Sequence, residues 1–418
     1  MNILIKSATI IDASSEHHNQ TVDVLIEDGT ITAIKTSIAN TNNYKEIVLE
    51  NLHLSQGWTD TSVCFGEPGF EDRETIQNGL KTAALSGFTT IALQSNTNPV
   101  ADTSADISFL VNKSQDNAVN LLPIGALTKL SESIDLAELY DMQNAGAIAF
   151  YDYKKPIKNP NLLKIALQYA SNFDGLVYSF PLEEKIAGKG IVNEEETSTR
   201  LGLKGSPNLA EALQVARDLF ILEYTGGKLH IPTISTKESV RLIREAKQKQ
   251  LKVTCSVAIH NLLLEDCLLE DFDTRFKVNP PLRIKEDIDA LIDGLKDGTV
   301  DFVTSDHNPQ TIEDKKVEFD HATYGTIGLE SAFGALNSIL NTQETITLLT
   351  KGRSLFNLEN QSIKVGNAAN LSLFNPNIEY TFTKKNIIST SKNSAFLGQH
   401  LKGKSYGVYA NKKLIIND

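Results

Sequence analysis

The sequence has few cysteines, one tryptophan and no long apolar run. Its 418 residues include three cysteines, Cys64, Cys255 and Cys267, and none of them forms a CxxC pair. So few thiols exclude a disulfide framework and favour a reducing, cytoplasmic compartment. No apolar stretch approaches the roughly 18 residues of a membrane-spanning helix. The first residues read as a strand and lack the pattern of a signal peptide, so no membrane association is expected.

The sequence also has fewer basic than acidic residues. The chain carries 40 lysines and arginines against 52 aspartates and glutamates, a formal net charge of -12 at pH 7. Because there is no basic tract, the composition argues against nucleic acid or an anionic membrane as the main partner. With 41% apolar and 22% charged residues, the chain is neither collagen-like nor wholly disordered. Its length fits two or three domains, or one large barrel with an accessory module.

Both ends of the chain are rich in β patterns, but each end is too short to bury a core alone. Near the N-terminus, strands are predicted over 22–26 and 31–34 around Asp28-Gly29, which is a hairpin signal. Near the C-terminus, a strand is predicted over 370–374 with a stop at Asn375-Pro376. Two ends that each lack a core predict one small domain built from both, and two independent β caps are the alternative.

The middle of the chain alternates short apolar runs with helix-length amphipathic segments, which is typical of parallel βαβ units. In the segment 235–250, Val240, Ile243 and Ala246 recur at helical spacing, with Ser235 or Thr236 as the N-cap. Six strands are predicted, over 89–93, 147–150, 175–178, 228–231, 252–255 and 301–304. Six or more such units over roughly 290 residues favour a closed barrel over an open doubly wound sheet. No glycine-rich phosphate-binding motif supports the open sheet.

The predicted fold class is therefore α/β, with a (β/α)₈ TIM-type barrel over residues 54–352. A small composite β-sandwich domain is predicted from residues 1–53 and 353–418. In such barrels the chemistry lies at the C-terminal ends of the strands, so the residues that follow each apolar run are the candidates for function.

Five segments at or after the predicted strands form an ordered set. They are Gly87-Phe88-Thr89-Thr90, Asn96-Thr97-Asn98-Pro99, Leu201-Gly202-Leu203-Lys204-Gly205-Ser206-Pro207, Asn279-Pro280-Pro281-Leu282-Arg283 and Ser305-Asp306-His307-Asn308-Pro309. In this order the set resembles the dihydroorotase family of the amidohydrolase superfamily, over nearly the whole chain. The resemblance implies an amidohydrolase-type barrel, hydrolysis of a cyclic amide and a place in pyrimidine biosynthesis.

The resemblance also implies a zinc site that this sequence does not complete. The family holds one or two zinc ions with histidines, a carboxylated lysine or an aspartate, and a last aspartate that also shuttles protons. Zinc bound in this way activates a water molecule. The last aspartate of that set is kept, as Asp306. Asp152 stands where some members keep an aspartate ligand, and the four histidine positions carry Ser62, Cys64, Thr233 and Asn261. Hydroxyls and amides are poor zinc ligands, so no metal or other cofactor is expected.

The implied substrate-binding residues are also incomplete. The family binds the dihydroorotate carboxylate with an arginine, and Gly66 stands at that position. Asn96 and His307 are kept from the substrate-binding set, but with the arginine absent we favour a role for both in loop packing. His230, inside an apolar strand, is expected to be a satisfied core histidine. His260, beside the Asn261 position, is the histidine to examine first.

Three functions are compatible with these residues. The favoured one is a non-catalytic dihydroorotase-like protein, because inactive homologues in the family act as structural partners of aspartate carbamoyltransferase. That transferase is then the expected partner, and the family also implies a homo-oligomer. The second is an active zinc-dependent dihydroorotase or related amidohydrolase, with a site rebuilt around Asp306, Asp152, Cys64 or His260. The third is a ligand-binding sensor that uses the same pocket without catalysis.

Overall fold

The computed structural model of the chain describes residues 2–359 and 361–417 and is organised around two eight-stranded sheets. Residues 1, 360 and 418 of the predicted domain ranges lie outside this description. The strands are β1 (Ile3–Ile10), β2 (Thr21–Glu27), β3 (Thr30–Lys35), β4 (Lys45–Ile47), β5 (His53–Gln56), β6 (Trp58–Val63), β7 (Phe88–Leu93), β8 (Asn120–Gly125), β9 (Ala149–Phe150), β10 (Leu176–Tyr178), β11 (Val192–Asn193), β12 (Gly205–Ser206), β13 (Lys228–Ile231), β14 (Val253–Ala258), β15 (Phe302–Thr304), β16 (Leu371–Thr381), β17 (His400–Ala410) and β18 (Lys413–Ile416).

The α-helices lie mostly between the barrel strands. They are α1 (Ile76–Leu85), α2 (Ser104–Lys113), α3 (Leu139–Ala145), α4 (Pro160–Ala170), α5 (Glu184–Ala187), α6 (Glu196–Leu201), α7 (Asn208–Thr225), α8 (Lys237–Gln248), α9 (His260–Leu263), α10 (Lys285–Asp297), α11 (Ile312–Lys315), α12 (Leu329–Ile339) and α13 (Thr342–Lys351). In the part of the chain that the structure describes, none of these helices has the length and apolarity that crossing a bilayer requires.

Eight parallel strands form the barrel. Their order is β6, β7, β8, β9, β10, β13, β14 and β15. The first and last strands meet where Val63 bridges His307 in parallel and the Cys64 amide donates to the His307 carbonyl at 2.7 Å. Because helices alternate with these strands along the chain, the structure is the predicted (β/α)₈ barrel.

Asp60, on β6, connects the first and last strands of the barrel through hydrogen bonds. Its carboxylate accepts hydrogen bonds from the Thr304 hydroxyl at 2.6 Å and the Ser305 amide at 3.0 Å, as well as from the Ser62 amide on its own strand. Burial raises the pKa of the Asp60 carboxyl, and these hydrogen bonds oppose that rise. The buried carboxylate thus fixes the ends of the first and last strands relative to each other.

Helix α8 shows how the amphipathic segments pack on the barrel. It begins after Thr236, whose hydroxyl accepts a hydrogen bond from the Ser239 amide, and it buries Val240, Ile243 and Ala246. The predicted helix, its buried face and one of its two candidate N-caps are therefore confirmed. The other candidate, Ser235, donates instead to the buried Glu211 carboxylate.

The second sheet joins the two ends of the chain. Its order is β18, β17, β16, β5, β1, β2 and β3, with β4 paired beside β1. Since β5 pairs with β1 on one side and β16 on the other, the ends form one sheet, as predicted, and not two separate caps. The predicted stop at Asn375-Pro376 is wrong, because β16 continues to Thr381. The register against β17 shifts between Asn375 and Glu379, and such an irregularity accommodates a residue without an N–H group.

Candidate functional site

An ion pair between Lys154 and Asp306 lies at the C-terminal ends of the barrel strands. Asp306 follows β15 by two residues and Lys154 follows β9 by four. The Lys154 ammonium is 2.6 Å from Asp306 Oδ2, and the side chains are 10% and 2% exposed. The Tyr153 hydroxyl donates to the other carboxylate oxygen at 3.4 Å. The carboxylate that the family resemblance marks as a metal ligand therefore holds a protein ammonium group.

The backbone at this end of the barrel is strained at three strand ends. Lys154, Thr233 and Asp306 have φ values of 53°, 48° and 48°, in the left-handed region that side chains with a Cβ rarely adopt. Each such residue costs about 1–3 kcal/mol, and such residues cluster at ligand and active sites. Together with the ion pair, the strain marks the barrel mouth as the candidate site.

Cys64 lies in the same region with its thiol fully buried. Burial raises the pKa of the Cys64 thiol to about 12, and the nearby Asp306 charge acts in the same direction. Hydrogen bonds with the Tyr153 and Asn96 side chains oppose the rise. Because the thiolate is the form that attacks substrates and binds metals, the raised pKa disfavours the reactive form of Cys64 at neutral pH.

Asp152 is turned to a neighbouring loop. One of its carboxylate oxygens accepts from the Leu127 and Thr128 amides, both at 2.9 Å, and the other accepts from the Thr128 hydroxyl. Burial raises the pKa of this carboxyl against the effect of those bonds. Asp152 therefore anchors the loop that follows β8, and both of its oxygens are engaged there.

The three remaining ligand positions carry neutral side chains. The Ser62 hydroxyl accepts from Gln94 at 3.1 Å, and the Asn261 amide donates to the Pro281 carbonyl at 2.9 Å. The Thr233 hydroxyl is buried without a protein partner. Within residues 2–359 and 361–417, no three His, Cys, Asp or Glu side chains are grouped so that they could hold a metal ion. A protonated thiol, a carboxylate paired with an ammonium group, hydroxyls and an amide do not fit zinc.

Two of the buried histidines, His307 and His230, have different structural roles. His307 Nδ1 accepts from the Gly328 amide at 3.2 Å and the Leu329 amide at 3.4 Å, where α12 begins, and burial lowers its pKa to about 4. His230 contacts hydroxyls of β14 through both ring nitrogens, and its pKa is lowered to about 3. His307 is thus a helix cap, and His230 is the satisfied core histidine that the sequence predicts.

His260 stands apart because it is fully buried and neither ring nitrogen has a protein partner. Burial lowers its pKa to about 3, and the positive charge of Lys154 lowers it further. The ring is therefore neutral at physiological pH. It lies on α9, directly after β14, and with the Thr233 hydroxyl and His307 Nε2 it is among the buried polar groups of the candidate site that have no protein partner.

The position implied for the carboxylate-binding arginine is closed. At Gly66 an added Cβ would lie 1.8 Å from the Phe70 carbonyl oxygen. The loop folds back there, with the Gly66 amide donating to the Glu74 carbonyl and the Phe70 amide donating to the Gly66 carbonyl. Only glycine fits this turn, so a substrate carboxylate has no partner at this position.

Lys154 is the site residue that the sequence analysis missed. It lies two residues after Asp152, the position at which some family members keep an aspartate ligand. The rule that function lies at strand ends applies to it as well. A lysine there carries no ligand signature, and its pairing with Asp306 becomes visible only when the barrel brings residues 152 positions apart together.

The comparisons with known proteins agree with one another. The family model described as Dihydro-orotase-like matches residues 53–239. A protein named dihydroorotase from Trichlorobacter lovleyi is 36% identical, with 100% of each chain covered, and another from Acetivibrio thermocellus is 37% identical, with 100% of this chain and 99% of that one covered. Among solved structures, an L-hydantoinase from Arthrobacter aurescens superposes with a TM-score of 0.83 at 20% identity, over 100% of this chain and 97% of that one. That likeness supports the fold alone, while the full-length relatives establish that the chain belongs to the dihydroorotase family.

Proposed function

We propose that the chain is a non-catalytic member of the dihydroorotase family that serves pyrimidine biosynthesis as a structural partner of aspartate carbamoyltransferase. The ion pair between Lys154 and Asp306 carries the non-catalytic part. An ammonium group 2.6 Å from the carboxylate competes with any metal cation for it, and in a buried site that competition is not screened by water.

The other side chains at the barrel mouth support the same proposal. Hydrolysis of an amide needs an activated water or a nucleophile. Burial raises the pKa of the Cys64 thiol, His307 caps α12, and Asp152 holds a loop. Of the groups at the barrel mouth, His307 and Asp152 are therefore committed to structural contacts, and His260 alone is left as an unpaired imidazole without a partner that could help it activate water.

The proposed association with aspartate carbamoyltransferase is supported by the fold that this chain retains. Its similarity to dihydroorotases spans their full length, and the barrel and the sheet of both ends are intact. A fold kept over its whole length while the ligand positions are changed fits a role in assembly. The transferase follows from the inactive homologues that the sequence resembles.

A metal and activity measurement tests the non-catalytic part. The chain would be purified without chelators from zinc-supplemented cells, and its zinc content and its hydrolysis of dihydroorotate would be measured. We expect far less than one zinc ion per chain and no turnover above that of Asp306→Asn, the matched control. Stoichiometric zinc together with turnover that Asp306→Asn abolishes would overturn the proposal.

The active reading is the second candidate function, because the full-length relatives carry the name dihydroorotase and Asp306 is kept. It requires Lys154 to leave Asp306 when zinc binds. Lys154→Ala then distinguishes the two candidates: if zinc binding and turnover are latent and blocked by Lys154 alone, the variant gains both. We expect that it gains neither, since the other ligand positions are still neutral.

The partner is tested separately. The chain and aspartate carbamoyltransferase from the same organism would be co-expressed, and their complex and the transferase activity measured with and without this chain. We expect co-elution and a change in transferase assembly or activity. Two proteins that elute apart at micromolar concentration, with unchanged transferase activity, would remove this partner while leaving the metal result standing.

A further inference from the structure

A cleft lies beside the loop that follows β15, outside the candidate site. Its walls are α11, the turn at Thr274 and Arg275, and the segment 384–397 that connects β16 to β17. Its volume is about 530 Å³, within the range of roughly 300–1,000 Å³ that is typical of small-molecule sites. We name it the side cleft.

Basic side chains dominate the lining of the side cleft, although the chain as a whole is acidic. Its lining includes two carboxylates, Asp72 and Glu313, and five basic side chains, which are Arg275, Lys315, Lys316, Lys384 and Lys392. Over the whole chain, acidic residues outnumber basic ones by 52 to 40. The cleft therefore has a local charge opposite in sign to that of the chain, and such a cleft attracts anions.

Two of these lysines are free to bind an anion. Lys316, directly after α11, and Lys384, on the segment between β16 and β17, are both exposed. In residues 2–359 and 361–417, neither of them forms an ion pair or a side-chain hydrogen bond. Arg275, by contrast, is paired with Asp273 at 2.5 Å. Because a lysine ammonium is a compact charge with three donors, it suits phosphate oxygens.

Two further lysines of the cleft are held by backbone carbonyls. Lys315 is 5% exposed, and its ammonium donates to three carbonyls at 2.9–3.3 Å. The Lys392 ammonium donates to two carbonyls of its own segment at 3.1 and 2.6 Å. Burial lowers the pKa of Lys315 to about 7, although Asp273 and Asp314 act in the opposite direction. Since carbonyls carry no net charge, an anion in the cleft would stabilise the charged form of Lys315.

The side cleft also exposes apolar surface. Ile312 on α11 is 67% exposed, and Leu397 at the end of the segment 384–397 is half-buried. Both side chains line the cleft together with the lysines. An inorganic ion would leave this surface in water, whereas an organic group would cover it and gain from the hydrophobic effect.

A phosphate monoester fits both features of the cleft. Such a group carries a charge of roughly −1.5 to −2 at pH 7, which matches the two free ammonium groups better than the single charge of a carboxylate does. A polyphosphate carries more negative charge, and Asp72 and Glu313 in the lining would repel it. The organic group of the ester would cover the apolar surface.

We propose that the side cleft binds a phosphate monoester of a small organic molecule. Lys316 and Lys384 bind the phosphate group, and Ile312 and Leu397 contact the organic group. The inference goes beyond the proposed function and is independent of it, because it uses no residue of the candidate site. The zinc, hydrolysis and transferase measurements therefore do not decide it.

Calorimetric titration of the full chain with phenyl phosphate tests the class of ligand. We expect one site per chain with a Kd below about 1 mM. Inorganic phosphate lacks the ring and benzoate lacks the second charge, so both should bind more weakly. Inorganic phosphate that binds as tightly as phenyl phosphate would overturn the role of the organic group, and equally tight benzoate would overturn the role of the phosphate.

Charge variants test the location. Lys316→Gln/Lys384→Gln should weaken phenyl phosphate binding roughly tenfold or more, because two charge-assisted hydrogen bonds are lost. Glu313→Gln should strengthen binding, since it removes a repelling charge. Lys402→Gln/Lys404→Gln, which removes two exposed lysines of β17, is the matched control and should bind as the wild type does. Unchanged affinity in the cleft variant, or equal weakening in the control, would overturn the proposal.

Hydrogen exchange provides a readout that a change of net charge does not move. Phenyl phosphate should slow exchange over residues 311–316 and 384–397 in the wild type, and it should have no such effect in Lys316→Gln/Lys384→Gln. Protection confined to other parts of the chain, or the absence of saturable binding to the wild type, would overturn the proposal.

Discussion

Lys154 and Asp306 form a buried ion pair. Removing either charge alone should lower the free energy of unfolding. In Lys154→Met the Asp306 carboxylate keeps only the Tyr153 hydroxyl as a side-chain partner. Removing one member of a buried pair costs about 3–5 kcal/mol. We expect a loss of that size in the free energy of unfolding at pH 7.5, measured by urea denaturation. The double variant Lys154→Met/Asp306→Asn should recover most of it; a double variant as unstable as the single one would show that the charges are not coupled.

The same variant should respond to pH. Burial raises the pKa of the Asp306 carboxyl above its ordinary value, and Lys154 opposes the rise. Without Lys154 the folded-state pKa rises further. An acid whose folded-state pKa exceeds its unfolded value destabilises the fold as pH rises through that interval, and protonation at lower pH restores stability. The loss in Lys154→Met should therefore shrink between pH 7.5 and pH 5.

For His260 we expect stability to change with pH in the opposite direction, because acid destabilises the fold there. Burial lowers its pKa from 6.5 to about 3, so below pH 6.5 the unfolded chain binds a proton that the folded chain does not, and stability is lost. His260→Leu removes this proton uptake. We expect the variant to lose about 2 kcal/mol less than the wild type between pH 7 and pH 5, at 1.36 kcal/mol per pKa unit. His400→Leu, at an exposed position, is the control and should follow the wild type; a His260→Leu curve parallel to the wild type would contradict the burial argument.

At the scale of elements, the sequence predicted those helices and strands whose apolar residues recur at regular spacing. Helix α8 and the strands near 89–93, 228–231 and 301–304 follow the predicted spans closely. Strand β6 was not singled out, because its sequence Trp-Thr-Asp-Thr-Ser-Val is largely polar although every residue is buried. Inward side chains of β6 are polar, and Asp60 forms hydrogen bonds to the last barrel strand. Such a strand shows no apolar run in the sequence.

The candidate site shows a similar division. The positions of Ser62, Cys64 and Asp306 could be located in the sequence because the surrounding motifs resemble a family. The role of His307 could not, because its acceptor atom faces amides at the start of α12, about twenty residues further along the chain. Such contacts depend on how the loops fold over the barrel, and a single sequence carries no local pattern for them.

Two buried lysines, Lys315 and Lys277, donate to carbonyls of the loop that follows the Asp306 motif. The buried Lys315 ammonium donates to the carbonyls of Lys277, Thr323 and Gly325 at 2.9–3.3 Å. Burial lowers its pKa from 10.5 to about 7. Because the unfolded chain binds this proton up to pH 10.5, stability from this group rises with pH between 7 and 10.5.

Lys315→Met should abolish that rise and free the loop. We expect faster hydrogen exchange over residues 311–326 in the variant than in the wild type. We also expect the wild type to gain about 2 kcal/mol relative to the variant between pH 7 and pH 9, at 1.36 kcal/mol per pH unit. Lys316→Met, at the adjacent exposed position, is the control for a lysine without these contacts. Equal exchange rates in all three proteins would show that the ammonium does not hold the loop.

For the whole molecule, the barrel and the sheet of both chain ends meet in one apolar cluster, although that sheet also has a second cluster of its own. Trp58 of β6 lies 4.8 Å from Phe333 of α12 and 5.5 Å from Phe374 of β16, measured between ring centroids. Phe333 and Phe374 are themselves 5.1 Å apart. Because the same aromatic rings serve both sheets, neither sheet can lose its packing without exposing apolar surface of the other.

Unfolding should therefore be a single transition. Trp58 is the only tryptophan, so its fluorescence reports the shared core, while far-ultraviolet circular dichroism reports the helices of the barrel. We expect the two denaturation curves to coincide, as they do for cooperative units. Phe374→Ala, which removes a buried ring from the terminal sheet, should cost about 3–5 kcal/mol and shift both curves together. Curves that separate in the variant, with fluorescence changing first, would mean that the sheet of the chain ends unfolds on its own and that the aromatic contacts do not couple it to the barrel.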